Sequence, residues 1–120
     1  ELCALCGKKN MKVLKFGGSS VGNAENIEKV IGIVKNTIEA SRCAVVLSAM
    51  SGTTDALIET GKLAESGDEN FRDKIEFIEQ KHLAAIEKLF ADSDVLPITD
   101  FLQATVKELK NINISTESYV

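Results

Sequence analysis

Tryptophan is absent from this sequence of 120 residues, proline occurs once, and aromatic side chains make up only 5%. Its core must therefore be aliphatic, drawn from Ile, Leu, Val and Ala. No apolar run approaches the ~20 residues that a membrane-spanning helix needs, so no membrane partner is expected. An excess of basic charge is missing too. The net charge of −4 argues against a nucleic-acid partner, which calls for a basic face, while leaving room for a local positive site that takes an anion. A signal-peptide pattern of basic start, apolar middle and small-residue cleavage site is also lacking, and a cytoplasmic location is the default expectation. The three cysteines, Cys3, Cys6 and Cys43, are an odd number and do not suggest a disulfide framework. Cys43 opens an apolar run and reads as a small hydrophobe. What remains, 44% hydrophobic and 27% charged residues, is the balance of a globular domain, and the length suits one such domain.

Residues 1–10, ELCALCGKKN, show neither strand nor helix periodicity. They read as a tag or disordered extension, with Met11 as the natural initiator. The Cys3–Cys6 pair falls short of a zinc site, which needs about four ligands, and no metal ligand is assigned. Met11–Phe16 is a short, mostly apolar run that stops at a glycine pair, as a buried strand does. Asn23 can cap a helix, and Ile27, Val30, Ile31, Val34 and Ile38 follow as one apolar stripe. Ala44–Leu47 is apolar at every position, the pattern of a central strand covered on both faces. Strand, helix and strand make a βαβ unit with parallel strands. The remainder reads as three helices. One is capped by Thr53 or Thr54 and runs through Leu57, Ile58 and Ala64, with a break at Gly67 and Asp68. The second carries Phe71, Ile75, Ile78, His82, Ala85 and Leu89 on one face. The third has Pro97 in its first turn and Ile98, Leu102, Val106 and Leu109 on one side. Two parallel strands cannot bury themselves, so residues 11–120 read as the N-terminal portion of a larger, incomplete α/β domain.

Both strands of a βαβ unit end at the same sheet edge, where ligands bind in open α/β folds. Two loops of small residues stand there, Gly17-Gly18-Ser19-Ser20 and Ser48-Ala49-Met50-Ser51-Gly52-Thr53-Thr54. Lys15 places a positive charge beside the first loop. Its glycines let backbone approach a ligand or adopt unusual dihedrals, and amides before a helix N-terminus favour phosphate. A tight strand-to-helix turn with a solvated Lys15 would use the same residues. Gly17 and Gly22 have Walker A separation, but Asn23 stands where the lysine belongs, and Ser19 breaks a GxGxxG frame. Ser48, Ser51, Thr53 and Thr54 offer hydroxyls to a carboxylate or phosphate, and capping explains the threonines as well. Met50 reads as packing, and His82 as a core or interface histidine.

KFGGSSV from Lys15 and VVLSAMSGTTDAL from Val45 together resemble the aspartate kinase branch of the amino acid kinase family. That family's usual form is KFGGTSV, and Ser19 keeps the hydroxyl. The resemblance implies the N-terminal part of a three-layer αβα domain, and phosphoryl transfer from ATP to the β-carboxylate of L-aspartate. The product would be aspartyl phosphate, the first step toward lysine, threonine and methionine. By the same resemblance Lys15 is the catalytic cation. Phe16, Gly17, Gly18, Ser19 and Ser20 join it around the ATP phosphates, and Ser48 and Thr54 line the substrate side. ATP and Mg2+ are the implied cofactors, with the metal held mostly by phosphates, and the parent enzyme is implied to be a homo-oligomer. The SFGE-like segment, the adenine-binding half and the regulatory domains lie outside these residues. The 120 residues alone are therefore expected to be inactive, and a bifunctional aspartokinase/homoserine dehydrogenase parent fits as well as a monofunctional one. Rival readings are a family member acting on another carboxylate or carbamate, and a non-catalytic α/β binding module.

Overall fold

The computed structural model describes residues 11–91 and 95–117, and side chains up to residue 112. Cys3, Cys6 and the reading of residues 1–10 lie outside them. The chain divides into two compact units, residues 1–51 and 52–120.

The first unit is the anticipated βαβ. Strand β1 (Lys12–Phe16) and strand β2 (Cys43–Leu47) flank helix α1 (Ala24–Ala40). The strands pair in parallel, with Lys12 opposite Cys43 and Phe16 opposite Leu47. Side chains alternate between faces along a strand. Leu14 and Phe16 therefore share one face with Val45 and Leu47, and Val13 and Lys15 share the other with Val46. Leu14 and Phe16 are half-buried, and on α1 Ala24 and Val30 are buried. The expectation that β2 is covered on both faces does not hold within these residues: Val13 is 66% exposed and Val46 48%. A single helix leaves one face of a two-stranded sheet open and covers only part of the other, where Val45 and Leu47 are exposed as well. The outer members of the α1 stripe, Ile31 and Ile38, are exposed for the same reason.

The second unit consists of helices α2 (Thr53–Glu65), α3 (Phe71–Leu89) and α4 (Leu96–Glu117). Its core is Ala64, Phe71, Ile75 and Val106, with Leu63, Leu102 and Leu109 packed against them. The anticipated stripes of α3 and α4 supply that core. The expected helix through Leu57, Ile58 and Ala64 forms as α2, and of these three Ala64 is buried. Leu57 and Ile58 are exposed, and the buried positions are Thr53, Ala56, Thr60 and Ala64. The Thr60 hydroxyl is satisfied inside the helix, donating to the Ala56 carbonyl at 2.7 Å, so burial at that position leaves no unpaired donor. His82 is half-buried with Nδ1 2.7 Å from the Ile78 carbonyl, in keeping with a structural histidine.

Helix α2 ends in a Schellman motif: the Gly67 amide donates to Ala64 and the Asp68 amide to Leu63. The motif requires a left-handed residue, and Gly67 has φ 71°. Gly67→Ala should cost about 1–2 kcal/mol, the price of placing a Cβ in that region. The chain's urea midpoint should fall, with no change in the slope of the transition; an unmoved midpoint would contradict this account. No described helix is long and apolar enough to cross a membrane.

Candidate active site

The parallel pairing brings Phe16 and Leu47 to one edge of the sheet, and both chain segments leave it as loops. The first loop is tightly folded. The Ser20 amide donates to the Gly17 carbonyl at 3.0 Å, and the Gly22 amide reaches the Ser19 carbonyl at 3.5 Å. Residues 48–51 run against it: the Ser48 amide donates to the Phe16 carbonyl at 3.0 Å and the Ser51 amide to the Gly18 carbonyl at 3.2 Å. Val21 and Met50 are buried, so Met50 packs, as its reading proposes.

The glycines serve this close approach. A Cβ on Gly18 would lie 3.1 Å from the Ala49 carbonyl oxygen, and one on Gly22 would lie 3.0 Å from Ser51 Oγ. Neither they nor Gly17 has a positive φ. The expectation of unusual dihedrals is thus corrected, because the requirement here is space. A Cβ on Gly17 would meet nothing within 4 Å, so that side of the loop is open.

Trans peptide planes then orient the amides. In a trans peptide the C=O and the following N–H point in opposite directions. The Gly17 carbonyl is held by Ser20 and the Gly18 carbonyl by Ser51. The Gly18 and Ser19 N–H groups must point the other way, and neither donates a backbone bond among the described residues. Adjacent amides without a backbone partner are the kind of donor that anion-binding concavities use. Lys15, the penultimate residue of β1, is exposed and makes no ion pair among the described residues.

Beyond the loop, Asn23 caps α1 as its position suggests, its Oδ1 accepting from the Asn26 amide at 2.9 Å. The positive end of the α1 dipole lies at this same end of the helix, and such an end favours anions. A cavity of about 360 Å³ beside the loop is lined by Phe16, Ser19, Ser20, Asn26, Lys29 and Val30, among others. Sequence reasoning did not reach Asn26 or Lys29. The available signal was the spacing of Asn26, three residues after the cap, where capping-box partners sit.

The structure brings Lys15, Phe16, Gly17, Gly18, Ser19, Ser20 and Ser48 to one edge of the βαβ unit. Thr54 is an exposed residue in the first turn of α2, in the second unit. Neither threonine caps that helix. Its N-cap is Gly52 with φ 81°, and no side chain bonds the free amides. Thr53 is buried, and its Oγ1 has no hydrogen-bond partner.

The sequence model of the amino acid kinase family matches residues 10–95. This chain belongs to the amino acid kinase family. Among family members, aspartokinase 2, chloroplastic, of Arabidopsis thaliana is 33% identical over 114 residues, 92% of this chain and 20% of the relative. The bifunctional aspartokinase/homoserine dehydrogenase 2, chloroplastic, of the same plant is 32% identical over 98 residues, 82% of this chain and 11% of the relative. The aspartate kinase of Pseudomonas fluorescens (strain SBW25) is 53% identical over 58 residues, 48% of this chain and 14% of the relative. The fold matches a crystal structure of E. coli aspartokinase III in complex with aspartate and ADP (R-state), with a TM-score of 0.74 and 25% identity. The match covers 90% of this chain and 23% of that one. The amino acid kinase chain described here thus spans a fifth or less of the length of these curated relatives, all of them aspartokinases by name.

Proposed function

We propose that this chain is the N-terminal portion of the kinase domain of an aspartate kinase, contributing the phosphate-binding loop and part of the aspartate subsite. The observation that carries the reading is the pair of Gly18 and Ser19 amides that donate no backbone bond among the described residues, following Lys15 in a chain whose relatives are aspartokinases. The donor set suits ATP phosphates: amides, the Ser19 and Ser20 hydroxyls and one ammonium group, with no carboxylate in the loop.

In the proposed reaction a β-carboxylate oxygen of aspartate attacks the γ-phosphorus of ATP. The bond from that phosphorus to the β-phosphate oxygen breaks, and ADP leaves. A carboxylate is already ionised at neutral pH, so no general base is required. Catalysis rests on alignment and on charge stabilisation. Lys15 neutralises charge on the transferred group, the Gly18 and Ser19 amides hold phosphate oxygens, and Ser48 and Thr54 keep the substrate-side roles that the family resemblance implies. Magnesium, when bound, would screen the phosphate charge. No group of three or more His, Cys, Asp or Glu residues suited to a metal stands among the described residues, and phosphate oxygens and water usually supply most Mg2+ ligands in such sites. The proposal includes a homo-oligomeric parent acting in the cytoplasm at the head of lysine, threonine and methionine synthesis.

The test is ATP-dependent hydroxamate formation by the protein at its natural length, offered aspartate, glutamate and acetylglutamate in turn. Aspartate should be the preferred acceptor. Turnover of another carboxylate in its place would keep the family and overturn the substrate, and no transfer to any acceptor would overturn the kinase reading.

A further inference from the structure

Asn26 makes a contact that helix capping does not explain. Its Nδ2 donates to the Ser19 carbonyl, seven residues back, at 2.9 Å, while its own backbone amide is taken by Asn23. The peptide between Ser19 and Ser20 is thereby held at both ends: its carbonyl by Asn26, and its N–H by the Gly17 carbonyl at 3.0 Å. Without the first bond, the carbonyl keeps only the long contact from the Gly22 amide at 3.5 Å and the plane only its Ser20 bond, and the carbonyl oxygen is freer to turn toward the Gly18 and Ser19 amides. A partial negative charge would then confront an anionic ligand.

The amide's orientation is fixed by a third residue. Lys29 Nζ lies 3.5 Å from Asn26 Oδ1, at the long limit of a hydrogen bond. An ammonium only donates, so it selects the rotamer in which the asparagine oxygen faces Lys29 and the NH2 group faces Ser19. Asn26, Lys29, Ser19 and Ser20 all line the same cavity.

We propose that Asn26 is a positioning residue for the phosphate loop, clamping the Ser19 carbonyl away from the ligand, with Lys29 setting the orientation of the clamp. This inference rests on the reading of the loop as the seat of the ATP phosphates. It assigns a role to a residue outside the KFGGSS motif, and it makes the first turn of α1 part of the site's preorganisation.

The decisive variant is Asn26→Asp. Aspartate has the same size and is favourable in the first turn of a helix, so α1 should not weaken. It lacks the NH2 donor, however, and sets an oxygen against the Ser19 carbonyl. In the protein at its natural length, Asn26→Asp and Asn26→Ala should each raise the dissociation constant for MgATP about tenfold, the equivalent of one good hydrogen bond. The KM for aspartate should stay unchanged, Lys29→Met should have a smaller effect in the same direction, and Asn26→Gln should restore part of the loss. Hydrogen exchange at the Ser20 amide should quicken in Asn26→Ala. MgATP binding at wild-type strength in Asn26→Asp, or equal losses for MgATP and aspartate, would overturn the clamp. If the wild type binds no MgATP, the reading of the loop falls, and Ser20 exchange decides the clamp alone: an unchanged rate in Asn26→Ala sinks it.

Discussion

Replacing Lys15 with alanine should reduce the turnover of aspartate phosphorylation by about 100- to 1,000-fold, the usual loss when one preorganised charge or donor is removed from a developing anion. The expectation follows from placement. Lys15 lies one residue before the end of β1, so its backbone is held by the ladder to β2, opposite Val46. The side chain is exposed and unpaired among the described residues. Its removal takes away no buried side chain and no ion pair among the described residues, and the melting temperature should stay within a degree or so of wild type, as surface substitutions do. The hydroxamate assay at saturating aspartate and ATP reads the effect directly. Arginine at the same position should recover little, because its planar fork cannot take the place of a compact ammonium. An alanine variant with near-normal turnover would remove Lys15 from the reaction and leave the loop amides and the Ser19 and Ser20 hydroxyls as the assigned phosphate contacts.

The second large effect concerns stability. Phe71→Ala should cost about 3–5 kcal/mol, the range for truncating a large buried aromatic. Phe71 has no exposed surface, and it packs with Ala64, Ile75 and Val106 where the three helices of the second unit converge. A whole domain is stable by only about 5–15 kcal/mol, so this substitution should unfold much of the helical unit at moderate temperature. Far-ultraviolet circular dichroism followed through a urea titration would show the midpoint collapse. Phe71→Leu, which keeps most of the volume, should lose far less. Equal losses from the two substitutions would mean that the cavity is not the cause.

The parts of this structure that were legible in the sequence are those governed by local rules. Asn23 was readable as a cap because a short side chain before an apolar stripe has few other uses. Gly67 and Asp68 were readable as a stop because a Schellman ending demands a left-handed residue. The parallel pairing of β1 with β2 followed from the helix between them. Elsewhere non-local geometry decided. The helix start at Gly52 displaced Thr53 and Thr54 as caps, since a backbone already turned through φ 81° begins the helix one residue earlier. The glycines of the first loop read as allowing close approach to a ligand and unusual dihedrals, yet what Gly18 needs is clearance from the Ala49 carbonyl. That contact exists only once two loops far apart in sequence have met. Asn26 was invisible for the same reason: its partner is a carbonyl whose direction depends on the folded loop. The candidate phosphate residues stood out by type and order, whereas the direction of the free amides became apparent only from the bonds on their opposite sides.

The buried face of α2 has a consequence for how this sequence can change over generations. Ala56, Thr60 and Ala64 are all small, and Ala64 has no exposed surface. A mutation enlarging that side chain has to push a neighbouring helix aside, at about 1–3 kcal/mol. Leu57 and Ile58, although bulkier and more hydrophobic, lie exposed within this unit and are free to drift as far as the helical unit alone is concerned. Purifying selection on this helix should therefore fall on its smallest residues, the reverse of what a ranking by hydrophobicity would suggest.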